Sequence, residues 1–325
     1  MRSDRRAFLT RIGALAGAVP LAVRRQAESR RVRRIGFLIG GDQALIDAFK
    51  GALHDRRYVE GQNLAIELRI ASGADTARYA AELATSDLEL VVAAALPQAL
   101  EIRKANPAMP MVIAVCPGMV SNGFAKTLEH PGGNVTGGEE LLPGVTAKRL
   151  TWLKTAAPAV SRVALLSTTP GRGGHEAQVA EAEHTAAALG VTVKPYRAAS
   201  LSELNAALAA IASDGMNGLA NFQGGLSLGN RQLIVDFAAM HRLPAVYQAT
   251  RFAEAGGLMA WAPNLENQFR DAAEYVARIL DGANPGDLPI RYAARYFLTI
   301  NTTAAKNLGL TLPPTLLAQA DRVLP

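Results

Sequence analysis

A glycine-rich stretch, His130-Pro-Gly-Gly-Asn-Val-Thr-Gly-Gly138, interrupts an otherwise regular alternation of apolar runs and amphipathic segments. Its glycines and proline break both helix and strand periodicity, so it reads as a joint between two halves. Upstream, residues 34–39 are a short apolar run ending in Gly40-Gly41-Asp42, after which Leu45, Phe49 and Leu53 recur at helical spacing. The unit repeats at 64–70 with 76–85, at 88–94 with 97–104, and again from 111–115. Downstream, candidate strands at 162–167, 191–196, 218–222, 245–247 and 256–262 are interspersed with helices at 144–156, 178–189, 202–211 and 230–241. Asn264 then caps a long helix running to about Leu280. Strands alternating with helices in this way predict parallel, doubly wound sheets. The expected fold class is therefore α/β, with two Rossmann-like lobes joined by a hinge.

The formal charge of +6 suggests an anionic partner until its position is considered. Residues 1–34 hold ten arginines against Asp4 and Glu28, a local +8, whereas residues 35–325 carry 24 basic and 26 acidic residues. The body is close to neutral, which removes the argument for nucleic-acid binding. The leader itself reads Asp4-Arg-Arg-Ala-Phe-Leu9, followed by an apolar run over 12–23 that is too short to span a bilayer. It resembles a twin-arginine export signal, with Asp4 in place of the more usual Ser or Thr. Export to the periplasm is expected, with an uncleaved membrane anchor as the alternative.

Cys116 is the only cysteine, so no internal disulfide forms and no cysteine after the leader accepts a lipid. The five histidines are scattered, and His175-Glu176 has no second histidine four residues on, so neither a metal nor a cofactor is expected. Pro170-Gly-Arg-Gly-Gly174 lacks the last glycine of a dinucleotide loop and reads as a flexible cleft-edge loop. Gly225-Leu-Ser227-Leu-Gly229 matches the letters of a nucleophile elbow, but it starts several residues after the strand ends. Ser227 is read instead as a helix N-cap, and no catalysis is expected.

Ligands of open α/β sheets bind beyond the carboxyl ends of the strands. The candidate contacts there are Gly41, Asp42, Ala95, Leu96, Pro97, Cys116, Pro117, Gly138, Glu139, Ser167, Thr168, Phe222 and Gln223, with Tyr247 and Trp261 as aromatic partners.

Several stretches together resemble the substrate-binding proteins of ABC transporters, a family that includes binders of tryptophan and other aromatic amino acids. They are Arg34-Ile-Gly-Phe-Leu38, Tyr58-Val-Glu-Gly-Gln-Asn63, the 130–137 stretch, Lys148-Arg-Leu150, Ala255-Gly-Gly-Leu-Met259, Pro285 to Pro289, and Leu308-Gly-Leu-Thr-Leu-Pro-Pro314. The resemblance implies a periplasmic-binding-protein type I fold whose lobes close on a small organic ligand, of amino-acid or aromatic-acid type. It further implies a permease and an ATPase as partners and a monomeric protein. Three crossings would divide the chain into residues 34–138 plus about 264–292 and residues 139–263 plus about 293–325, after a leader at 1–33. Cys116-Pro117 departs from the family's usual Asp-Pro pair, which removes a polar group from the cleft. A periplasmic ligand sensor, or a hydrolase on the same scaffold, is the alternative function.

Overall fold

The computed structural model describes residues 32–71, 73–168, 174–222 and 224–325. The leader's signal, most of the 170–174 loop and Gln223 lie outside these residues. The first sheet contains β1 (Arg33–Ile39), β2 (Leu64–Ile70), β3 (Leu90–Ala95), β4 (Met111–Cys116), β5 (Val135–Glu139) and β11 (Arg291–Tyr292). Its order is β11-β5-β4-β3-β1-β2, and every pairing is parallel. The second contains β6 (Arg162–Ser167), β7 (Thr192–Arg197), β8 (Gly218–Asn221), β9 (Ala245–Tyr247), β10 (Met259–Pro263), β12 (Tyr296–Asn301) and β13 (Arg322–Leu324). Its order is β13-β12-β10-β9-β8-β6-β7, with only β10 and β12 antiparallel. The chain passes between the sheets after β5, after β10 and after β11.

Residue chemistry explains these layers. β3 and β4 are almost wholly buried runs of Val, Ala, Ile, Leu and Met, as parallel strands covered by helices on both faces must be. α1 (Gln43–Asp55) buries Leu45, Phe49 and Leu53, while α10 (Leu265–Leu280) buries Phe269, Ala272, Ala273, Val276 and Leu280. Both stripes recur at helical spacing, and they meet over Phe37, whose ring lies 4.7 Å from Phe49 and 6.2 Å from Phe269. Asn264 does cap α10, accepting the Asn267 N–H at 3.0 Å. At the outer edge, β7 exposes Lys194 and Pro195, two residues that discourage further strand pairing.

The 130–138 stretch is not one joint. Its first part is a loop that precedes β5, at the end of the sheet away from the cleft, where the Gly132 N–H donates to the Gly286 carbonyl at 3.0 Å. Its second part is β5 itself. Gly137 has φ +144°, and a Cβ there would collide with the Ile113 carbonyl and lie 2.8 Å from the Ile113 nitrogen. A Cβ on Gly138 would lie 2.5 Å from the Ala114 oxygen. These glycines let β5 approach β4 where the register shifts, so they are packed strand residues and not the joint expected of the stretch. The crossing follows Glu139. Likewise, the strand expected from Gly256 begins only at Met259, because Gly256 turns at φ +103° and Gly257 lies beneath the Tyr247 ring.

Candidate functional site

The carboxyl ends of the two sheets face each other across the hinge segments. Asp42, which follows β1, forms an ion pair with Arg251 in α9 (Thr250–Glu254), which follows β9. Gly174 reaches across as well, since a Cβ there would strike Leu141 and lie 3.5 Å from the Pro117 backbone. The Asp42 side chain caps nothing on α1, so its carboxylate is committed to the other lobe. Both side chains are partly exposed, which limits such a pair to about 1 kcal/mol. Asp42→Asn is accordingly expected to open the ligand-free protein up to about fivefold more often. The charge swap Asp42→Arg with Arg251→Asp should restore closure, measured by interlobe fluorescence energy transfer. A swap no better than either single change would rule out the latch.

The remaining candidate contacts divide by environment. Gly41 turns at φ +92° on the exposed rim, and Ala95 stands at the start of α3 (Leu96–Ala105) with Pro97 exposed beside it. Leu96 points into the first lobe's core, and Phe222 is buried in the second lobe's core. Cys116 is likewise fully buried, and burial, reinforced by Glu139 and Glu140, holds it as a neutral thiol. Glu139 is corrected from ligand contact to scaffold. Its Oε1 accepts the Gly118 and Leu141 N–H groups, both at 2.8 Å, and its Oε2 accepts the Met119 N–H at 2.7 Å. Tyr247 is wholly buried, with its ring stacked on Phe252 at 4.7 Å and 10° and its hydroxyl without a partner among the described residues. Trp261 is half-buried and packs its ring 4.9 Å from Tyr296, at the hinge. Pro117, Ser167 and Thr168 remain at the facing strand ends, all buried. Gln223 lies outside the described residues.

Beside them stands a buried polar cluster, of which the sequence reading named Thr168 as a contact and Ser227 as a cap but neither Asn221 nor Gln248. Ser227 is not an N-cap: it lies inside α7 (Gly225–Gly229), its N–H donates to Thr168 Oγ1 at 3.3 Å and its hydroxyl donates to the Gly224 carbonyl at 2.9 Å. Gln248 Nε2 donates to Ser227 Oγ at 3.3 Å, and Asn221 Nδ2 donates to the Leu166 carbonyl at 3.4 Å. The opposite ends, Gln248 Oε1 and Asn221 Oδ1, are buried acceptors without a partner among the described residues. His175, heading α5 (His175–Ala188), accepts from Arg197 Nε at 3.1 Å through Nε2, so its proton belongs on Nδ1, which has no partner either. Burial lowers its pKa and keeps it neutral. Buried polar atoms are normally satisfied, so these are the groups to expect around a bound molecule. Their signal was a polar residue ending a buried apolar strand, Gly-Leu-Ala-Asn221 and Ala-Val-Tyr-Gln248.

The hinge has chemistry of its own. Glu140, the first residue past β5, is buried, and burial pushes its carboxyl up to about 8 against the opposing charge of Arg149 in α4 (Val145–Ala156), with Glu139 adding to the rise. Arg149 is itself buried and donates from Nε to the Trp261 carbonyl at 3.0 Å.

The family model described as "ABC transporter substrate binding protein" matches residues 40–324. A tyrosine-binding protein of Clostridioides difficile (strain R20291) is 23% identical over 292 residues, covering 88% of this chain and 84% of its own. The structure of an ABC domain from Streptococcus pneumonia in complex with L-Trp superposes with a TM-score of 0.83 at 22% identity, over 90% of this chain and 99% of that one. A ligand-free, open structure of a substrate-binding protein with adhesive properties from Clostridium difficile gives 0.67, also at 22% identity, over 90% and 99%. The shared fold is that of periplasmic binding proteins of type I.

Proposed function

Because the chain belongs to the ABC transporter substrate-binding protein family, we propose that it captures an aromatic amino acid between its lobes and presents it, as an exported periplasmic monomer, to a permease and its ATPase. The lobes of this reading are residues 34–138 with about 264–292 and residues 139–263 with about 293–325, and a twin-arginine-type leader delivers the protein. The observation that carries it is the pair of acceptors, Asn221 Oδ1 and Gln248 Oε1, at strand ends of the second sheet, unpartnered among the described residues. Two buried carbonyl oxygens suit an ammonium group, which a plain aromatic acid lacks. The L-Trp complex and the tyrosine-binding relative support the aromatic part. The higher TM-score with the L-Trp complex than with the open structure, together with the Asp42–Arg251 pair, supports a closed arrangement here. A ligand touching both lobes favours that arrangement by population shift.

A thermal-shift screen against L-tryptophan, L-tyrosine, benzoate and L-leucine tests the reading, since a ligand of the native state raises Tm. The aromatic amino acids are expected to raise it and benzoate to leave it unchanged. Asn221→Leu should weaken binding roughly 10- to 100-fold, the loss of one hydrogen bond to a charged group. A shift with benzoate as large as with L-tryptophan would sink the ammonium assignment.

A further inference from the structure

One partly buried cluster fastens the crossover segments together. The Tyr296 hydroxyl, at the start of β12, donates to the Glu140 carbonyl at 2.7 Å. Arg149 ties α4 to the Trp261 carbonyl near the end of β10, and the Trp261 ring packs on Tyr296. From the first lobe, the Cys116 carbonyl accepts the Glu140 N–H at 2.9 Å. The Glu140 backbone therefore ties β4 of one lobe to β12 of the other, and its side chain is buried, with Oε2 unpartnered among the described residues. The ionisable groups facing it are Arg149 from α4, Glu139 beside it on β5, Tyr296 from β12 and the Cys116 thiol from β4, while Glu181 on α5 bears on Arg149.

We propose that this cluster is a proton-operated hinge: closing the lobes buries Glu140 as the neutral acid, and opening lets it ionise, so closure takes up a proton. The inference rests on the lobe closure proposed above. Parting the lobes draws β4 away from α4 and β12 and brings water to the carboxyl, which then returns toward its ordinary range. The closed form holds the acid protonated up to about pH 8. Below the ordinary carboxyl range both forms are protonated, so closure carries no ionisation penalty and is at its strongest. Between that range and about pH 8, closure weakens steadily as pH rises.

Small-angle scattering of the ligand-free full chain tests this without any ligand. The wild type is expected to expand between about pH 6 and about pH 9, whereas Glu140→Gln and Glu140→Met, both neutral, stay compact throughout. Equal expansion in the wild type and either folded variant, or none in the wild type, overturns the proposal. With L-tryptophan as probe, wild-type affinity should fall at least about tenfold over that range and that of Glu140→Gln less than about twofold. Failure of L-tryptophan to bind at all would count against the proposed ligand, while the scattering still decides the hinge.

Discussion

Gly137→Val is expected to lower the stability of the first lobe by about 4 kcal/mol or more, enough to leave much of it unfolded. Two independent penalties combine. Gly137 holds φ +144°, a conformation that L-residues rarely adopt, and β-branching worsens the strain. A Cβ there also collides with the Ile113 backbone, and a strand inside a sheet cannot move aside as a flexible side chain could. Guanidinium denaturation followed by circular dichroism measures the loss. Gly133→Ala, in the same stretch, meets nothing within 4 Å and is the matched control, expected to change stability by less than about 0.5 kcal/mol. Equal effects at the two positions would show that the stretch acts as a simple flexible joint.

That contrast shows what a sequence pattern carries. Periodicity placed β1 to β4, β6 and α10 to within a residue or two, because burial on both faces of a strand, or on one stripe of a helix, leaves a repeat that can be counted. Composition alone could not separate two uses of glycine, a loop at 132–133 and a close strand approach at 137–138. The same limit applied to the site. Asp42, Pro117, Ser167 and Thr168 could be named as candidates because they stand where strands end. Tyr247 stands at such an end too, with its ring stacked on Phe252 and its hydroxyl left without a partner among the described residues. Asn221 and Gln248 carry no motif beyond a polar residue closing a buried apolar strand, and among the described residues their carbonyl oxygens have no partner.

Glu139→Ala is expected to destabilise the protein by about 3 kcal/mol or more, because it strands three backbone N–H groups that one carboxylate now satisfies. Gly118 and Met119 belong to the loop after β4, and Leu141 belongs to the first crossing, so the carboxylate fixes a cleft wall and a hinge segment at once. Glu139→Gln should fall between, since its one carbonyl can take the place of Oε1 while its NH2 confronts the Met119 N–H, or the reverse. Ligand affinity should fall along with Tm in both variants, as the wall carrying Pro117 loosens. A residue that touched ligand directly would behave differently: its loss would leave Tm of the free protein intact and weaken only binding. Unfolding curves of the ligand-free variants therefore decide between scaffold and contact, and an unchanged midpoint for Glu139→Ala would return this glutamate to the ligand.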